Sequence, residues 1–123
     1  PVFGFGRKQA KYRAAMAAYD KARLEYEQKV LEVFREAADA VATYRHVREA
    51  AALKGALCDA AREYVRLAHL QYRAGSINYI DVLDAQRRYF DAQIGLSNAV
   101  RDEHLALVGL YKALGGGWQT GAE

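Results

Sequence analysis

One apolar repeat, which runs from Tyr12 to Tyr72, constrains this chain more than any other feature. Steps of alternately four and three residues along it meet only two polar side chains. No proline lies within residues 8–73, and Gly55 is the only glycine there. An apolar period of about 3.5 residues is typical of a coiled coil, and a helix of this length would extend for roughly 100 Å. The sequence therefore predicts an all-α chain that is too long for a compact domain. The positions of this repeat, called the long seam below, are Tyr12, Met16, Tyr19, Arg23, Tyr26, Val30, Val33, Ala37, Ala40, Tyr44, Val47, Ala51, Lys54, Cys58, Ala61, Val65, Ala68 and Tyr72.

The long seam ends at a short polar connection, residues 74–78, which predicts a turn between two helices. Gly75 suits a left-handed helix C-cap, and Asn78 suits the N-cap of a second helix. Asp81 follows in the first turn of that helix, where the helix dipole favours a carboxylate. Because the connection is so short, the two helices are predicted to form an antiparallel hairpin, with the first over about 8–73.

The second helix, predicted over about 79–114, carries two apolar repeats of the same period. At about 103° per residue in a supercoil, the two repeats point in directions roughly 150° apart. An isolated hairpin needs only one seam on each helix, so a second one predicts neighbours on opposite flanks, as in a wall of helices that closes into a tube. The Ile80 ladder comprises Ile80, Leu83, Arg87, Phe90, Ile94, Ser97, Arg101, His104, Val108 and Tyr111. The Val82 ladder comprises Val82, Ala85, Tyr89, Ala92, Leu96, Ala99, Glu103, Ala106, Leu110 and Ala113. A partial second stripe on the first helix, the Leu53 stripe, comprises Leu53, Leu57, Ala60, Tyr64 and Leu67.

Composition and spacing argue against several function classes. The chain has 18 Lys and Arg against 15 Asp and Glu, and the two signs alternate, so no contiguous basic face is predicted for nucleic acid. Cys58 lies among helix formers and is predicted to be a packed thiol. His46, His69 and His104 lack the spacing of a helical metal pair, so they are interpreted as solvated or seam-edge side chains. The glycines at 115–117 follow no strand, so they indicate a helix stop. We therefore predict no catalytic activity, no metal and no cofactor.

The two ends of the chain have a different character from the helices. Residues 1–7 alternate glycine with apolar side chains, which is interpreted as the end of a membrane β-strand or a linker. Residues 115–123 are predicted to be a C-terminal tail. The chain has no run of about 18 apolar residues, and residues 1–20 lack the apolar core of a secretory signal.

Three segments resemble one known family. Residues 72–75, Tyr-Arg-Ala-Gly, are followed by residues 79–87, Tyr-Ile-Asp-Val-Leu-Asp-Ala-Gln-Arg. Together they resemble the hairpin-turn signature of TolC-like outer-membrane efflux proteins. Residues 110–118, Leu-Tyr-Lys-Ala-Leu-Gly-Gly-Gly-Trp, look like the usual C-terminal ending of that family. The segment that resembles the passage from membrane strand to long helix contains Pro1, Phe3, Gly6 and Arg7.

The resemblance implies a fold and a function. In that family three protomers close a β-barrel in the outer membrane, and their helices continue it as a tunnel across the periplasm. This chain is similar to the descending and returning helices of the second half of a protomer, hence to a periplasmic segment of a trimeric α-helical barrel. The implied function is a passive exit duct for a tripartite efflux or type I secretion system, with a periplasmic adaptor as partner and an inner-membrane pump acting indirectly. The alternative is a soluble coiled-coil interaction hairpin, such as that of an adaptor.

The resemblance also implies roles for two carboxylates at the turn, which lies at the periplasmic entrance in that family. Asp81 and Asp84 match positions whose carboxylates ring the pore. On physical grounds alone, Asp81 could instead complete a capping arrangement with Asn78, and Asp84 could merely complement the helix dipole. The pore role is favoured for Asp84, whereas Asp81 is left open between the two.

Other turn residues are assigned by the same resemblance. Tyr72 matches a side chain that helps to tie closed turns together in some members, although plain packing at the end of the long seam is an equal interpretation. Ile77 stands where some members have an arginine, which indicates that closure here rests more on apolar contact. The residues expected to meet the adaptor are Arg73, Gly75, Ser76, Ile77 and Asn78.

Overall fold

The computed structural model describes residues 2–116 and consists of two helices, α1 (Val2–Arg73) and α2 (Tyr79–Ala113). Residues 74–78 connect them, which is the connection predicted from the sequence, and the all-α hairpin is confirmed. Within the described residues, neither helix has a segment both long and apolar enough to cross a membrane. The predicted tail lies mostly outside the described residues. The chain divides into two units, Pro1–Ala38 and Asp39–Glu123, which are described in turn.

The start of α1 differs from the expectation. Residues 1–7 were interpreted as the end of a strand or a linker, yet α1 begins at Val2 rather than near Lys8. A strand must find a neighbouring strand for its N–H and C=O groups, whereas a helix pairs these groups internally. Extending an existing helix also avoids the cost of nucleation. These two effects outweigh the weak helix propensity of Gly4 and Gly6.

In the first unit, the long seam is open to solvent. The side chains of Tyr12, Tyr19 and Tyr26 are 67%, 64% and 71% exposed. Val30 and Ala37 are the half-buried residues among the described side chains of this unit. Here the helix depends on its own backbone hydrogen bonds and on surface ion pairs, each of which contributes a few tenths of a kcal/mol at most. The apolar face of this part of α1 is available to a partner.

In the second unit, α1 and α2 pack the long seam against the Val82 ladder. Three α1 residues of the seam are buried, namely Ala51, Cys58 and Ala68. From the Val82 ladder the buried residues are Val82, Ala85 and Ala92, and all the others are half-buried. Cys58 is thus a packed thiol, as predicted. Two positions of the seam in this unit are exposed, Lys54 and Tyr72, and Gly55 rather than Lys54 faces Leu96.

Small side chains dominate this interface. Of the six buried residues, four are alanines, and Val82 is the largest fully buried side chain. Burying one such side chain stabilises the fold by roughly 1.5–3 kcal/mol, and an alanine contributes less because it removes less apolar area from water. The two helices can approach closely, but the free energy that holds them together is small.

The Ile80 ladder lies on the other flank of α2 and is exposed along its whole length within the described residues. Ile80, Phe90 and Tyr111 are 72%, 61% and 66% exposed. On α1, Leu53 and Leu57 of the Leu53 stripe are also exposed. Contiguous apolar surface of this kind marks an interaction face. The two ladders therefore have different roles: one closes the hairpin, and the other faces outward.

Glycines with positive φ end both helices in the same way. At the turn, Gly75 has a φ of +77°, and the N–H groups of Gly75 and Ser76 donate to the carbonyls of Tyr72 and Gln71 at 3.0 and 2.9 Å. This pattern is a Schellman motif, which satisfies the last carbonyls of α1. Gly115, with a φ of +87°, ends α2 with equivalent bonds, so the predicted helix stop is seen.

We expect Gly75→Ala to lower the free energy of unfolding by about 1 kcal/mol, because a side chain disfavours the left-handed conformation. The matched control is Gly109→Ala in the interior of α2, where a Cβ would meet nothing within 4 Å. That change should instead raise the stability by roughly 0.5–1 kcal/mol. Urea denaturation followed by circular dichroism measures both. A neutral Gly75→Ala variant would contradict the turn geometry.

We also expect the chain to self-associate through its uncovered apolar faces. Replacing Phe90 and Ile94 by glutamate should weaken association at least about tenfold, since each charge would have to be buried in the contact. Asn98→Glu adds a charge to α2 outside both ladders and serves as the control. Analytical ultracentrifugation over micromolar to millimolar concentrations measures the effect. Strictly monomeric behaviour of the unmodified chain would contradict the expectation.

Candidate functional site

An apolar cluster lies where the turn meets the ends of α1 and α2. Ala68, Val82 and Ala85 are buried together, and Val65 and Ile77 pack against them. Ile77 is the only turn residue in this cluster, and it is half-buried. Its side chain therefore anchors the connection onto the ends of both helices. Apolar contact of Ile77 with neighbouring turns in a closed state stays a prediction.

Two aromatic rings, one on each side of the turn, pack against each other. The ring centroids of Tyr72 and Tyr79 lie 5.3 Å apart with an angle of 57° between the ring planes, a favourable tilted arrangement. Both side chains remain about half exposed. The packing role of Tyr72 is seen here, while its pore role stays a prediction. Sequence reasoning missed Tyr79; the signal was an aromatic residue on either side of the predicted turn.

Asp81 acts as a cap for α2. The backbone N–H of Asn78 donates to Asp81 Oδ2 at 3.1 Å, and Asn78 has the extended backbone of an N-cap residue. A carboxylate in this position also interacts favourably with the positive end of the helix dipole. The capping interpretation of Asp81 is therefore seen. A pore role for the same side chain, which is exposed, stays a prediction.

Asp84 is held by two arginines. Arg87 Nη2 donates to Oδ1 at 3.1 Å, and Arg88 Nε donates to Oδ2 at 2.9 Å. The Arg88 guanidinium, and after it Arg87, holds the pKa of Asp84 below its ordinary value. This interaction is fully present above the ordinary pKa of the carboxyl group, and it is lost as the pH falls through the lowered value. Sequence reasoning missed both partners, although they lie three and four residues after Asp84.

Polar contacts join the two helices above the turn. Arg62 Nε donates to the Tyr89 hydroxyl at 3.2 Å, and Arg62 Cζ lies 5.9 Å from the centroid of the Tyr89 ring. Nearer the turn, the Nε2 atoms of His69 and Gln86 are 3.4 Å apart. His69 lies at the edge of the seam, as predicted, and is half-buried. These contacts resist rotation of α2 relative to this part of α1.

The expected adaptor-contact residues lie at the end of the hairpin. Arg73, Gly75, Ser76 and Asn78 are exposed, and only Ile77 is partly withdrawn. They form a polar tip of small and uncharged groups with one cation. Contact with an adaptor stays a prediction.

The site contains little that could perform chemistry. Among residues 2–116, no group of three or more His, Cys, Asp or Glu side chains is placed to hold a metal ion. A groove of about 410 Å³ in the second unit is open to solvent and runs between α1 and α2. Its lining residues are Lys54, Leu57, Ala61, Tyr64, Arg88, Asp91, Ala92 and Gly95. This is a surface for contact and electrostatics.

Comparisons with known proteins agree with one another. The model of the Outer membrane efflux protein family matches residues 1–116. Outer membrane protein OprJ of Pseudomonas aeruginosa is 37% identical over 121 residues, which covers 98% of this chain and 25% of the relative. Solvent efflux pump outer membrane protein SrpC of Pseudomonas putida is 36% identical over 120 residues, or 98% of this chain and 26% of the relative. Cation efflux system protein CusC of Escherichia coli O6:H1 is 31% identical over 119 residues, with coverages of 97% and 26%.

A solved structure gives the same result for the fold. The outer-membrane channel OprN superposes with a TM-score of 0.70 and 32% identity, over 95% of this chain and 26% of that chain. This chain thus spans about a quarter of the length of the relatives it matches. On the family match over residues 1–116 and the packed helical hairpin, the chain belongs to the outer membrane efflux protein family, the TolC-like family indicated by its turn motif.

Proposed function

We propose that this chain is the periplasmic helical segment of a passive exit duct, through which an efflux or secretion system carries substrates across the periplasm and outer membrane. The observation that carries the proposal is the match of nearly the whole chain to outer-membrane efflux proteins. An adaptor hairpin, the alternative function, finds no support among these relatives. Because the chain covers about a quarter of each relative, the activity of the complete protein belongs to the proposal.

The uncovered apolar faces support a place in a larger wall of helices. The Ile80 ladder and the Leu53 stripe lie outside the contact between α1 and α2. In a trimer, other helices of the complete protein would cover them and remove this apolar area from water. The complete protein would lie in the outer membrane, with the hairpin in the periplasm.

The proposed duct is passive, and its energy comes from an inner-membrane pump that it meets only indirectly. The relatives are named for different cargoes: SrpC for solvent and CusC for cations. Helices of one family thus serve ducts of different systems, so family membership alone does not identify the substrate. Multidrug export and metal export are both compatible with membership of the family.

The turn is proposed as the periplasmic gate and the adaptor contact. Tyr72, Asp81 and Asp84 would face the entrance, and the exposed tip residues would meet the adaptor's helical hairpins end to end. Opening would shift packed helices along their seams. The seam between α1 and α2 is rich in alanine, so few interdigitating side chains would have to change rotamer there.

The proposal is tested by replacing Asp81 and Asp84 with asparagine in the complete protein. Three copies lose six carboxylates at the entrance, so single-channel recordings in lipid bilayers should show a reversal potential shifted towards anions and weaker block by multivalent cations. An asparagine at position 81 still offers an oxygen to Asn78, so the stability should fall by no more than about 1 kcal/mol.

Asn replacements at Asp91 and Asp102, further along α2, are the matched controls and should change the reversal potential much less. If the double variant melts several degrees lower but keeps its ion selectivity and block, these carboxylates act as caps and ion-pair partners only. In that case the entrance lies elsewhere, and the assignment of the turn to the gate is wrong.

A further inference from the structure

The carboxylates at the turn are outnumbered by arginines. From Arg73 to Arg88 the chain has three arginines and two aspartates, so this stretch carries a net positive charge. The turn motif predicts carboxylates that ring the pore. In the described contacts Asp84 is partly compensated by two arginines, and Asp81 by the backbone.

Asp84 has one cation on each oxygen. Its distances of 3.1 Å to Arg87 Nη2 and 2.9 Å to Arg88 Nε are those of charge-assisted hydrogen bonds. Both arginines follow the aspartate along the helix, which is the order that the helix dipole favours. The three side chains together carry one net positive charge. At a distance that is large compared with their separation, the group therefore acts as a cation.

The negative charge of Asp81 is also partly compensated, in this case by backbone groups. Its carboxylate accepts the N–H of Asn78 and lies at the positive end of the α2 dipole. No arginine contact to Asp81 is among the described ion pairs. It is therefore the carboxylate that leaves the most negative potential at the tip.

The side chains of the two arginines are more exposed to solvent than that of Asp84. Their side chains are 71% and 66% exposed, compared with 38% for Asp84. Arg87 belongs to the uncovered Ile80 ladder, and Arg88 lines the groove between α1 and α2. They thus flank Asp84 on two sides of the helix, so an ion that approaches Asp84 from either side meets a guanidinium first.

From this geometry we infer that Arg87 and Arg88 determine ion selectivity at the entrance, cancelling the cation preference of Asp84 so that anionic and uncharged solutes are admitted. The inference rests on the proposed function, since it requires the turn to line the pore. The proposed function says that the protein is a duct, and the inference adds which class of solute passes through it. A duct with this entrance suits organic anions better than divalent cations.

The test uses the complete protein in lipid bilayers under a potassium chloride gradient. In the variant with Arg87→Gln and Arg88→Gln, three copies lose six positive charges. Taken at roughly 10 Å from the pore axis and screened over about one Debye length, this loss should raise the permeability of cations about five-fold and lower that of anions by about the same factor, so that their ratio rises about twenty-fold. Replacing both arginines by lysine keeps the charge and should leave the selectivity as it was.

Arg101→Gln is the matched control. Arg101 also contacts an aspartate, Asp102, at 3.3 Å, but it lies further along α2. Removing its charge should leave the selectivity at the entrance unchanged. Asp84→Asn is the companion variant: it should shift the selectivity towards anions if the turn lines the pore, whether or not the arginines contribute, so it tests the proposed function separately.

The outcomes separate the inference from the proposed function. If Asp81→Asn with Asp84→Asn shifts the selectivity but the arginine variants do not, the inference is overturned and the gate assignment stands. If neither pair of variants has an effect in a conducting channel, the turn does not line the entrance, and both the gate assignment and the inference fail. If the complete protein forms no channel, the duct itself is disproved, and the inference with it.

Discussion

The packing of the long seam against the Val82 ladder is the interaction on which the rest of the second unit depends. It joins α1 and α2 mainly through alanine, with Cys58 and Val82 as the larger buried groups. Such an interface brings the helices close together, but it removes little apolar area from water. This interface therefore sets the register of α1 against α2 but stabilises the hairpin only weakly. The turn has to contribute to the same register. The Schellman motif at Gly75 and the contact of Ile77 with the buried cluster do so.

The weakness of the hairpin and the exposure of its remaining apolar surface have a common cause. α2 has 35 residues and α1 has 72, so α1 is about twice as long as the helix that returns along it. Within the second unit, the Ile80 ladder and the Leu53 stripe also lack a cover. The exposed apolar side chains of such a chain leave water only when other helices pack on them, so contacts with other helices would provide much of the hydrophobic stabilisation. This agrees with membership of a family whose name and relatives point to the outer membrane.

The turn combines a rigid backbone with adjustable electrostatics. Asp81 and Asn78 cap α2, and Tyr72 packs on Tyr79, so the shape of the tip is determined by contacts within the hairpin. The charge at the tip is a separate property, because Asp84, Arg87 and Arg88 are exposed or half-buried and hold no core in place. Substitutions among these three residues can change the potential at little cost in stability. This separation would allow ducts with one backbone to serve different solutes.

Both helices and the turn between them could be predicted from the pattern of residues along the chain. The period of the apolar side chains predicted both helices, and every member of the Val82 ladder is at least half-buried. Gly75 and Asn78 located the turn, because left-handed backbone and helix capping are local requirements that few residue types meet. Asp81 and Asp84 were assigned to the candidate site by the resemblance of the turn motif, and their pore role stays a prediction.

Only the tertiary structure decided which ladder closes the hairpin, because two repeats of equal period are equivalent until the turn sets the direction in which α2 leaves it. The contacts of Ile77 and Tyr79 likewise depend on that direction, which spacing along the chain does not specify. The arginine partners of Asp84 could not be predicted, because the contact depends on the rotamers of exposed side chains. An exposed arginine can adopt several rotamers. The helical start at Val2 was missed because a strand interpretation presupposed neighbouring strands, whereas a helix satisfies its own hydrogen bonds.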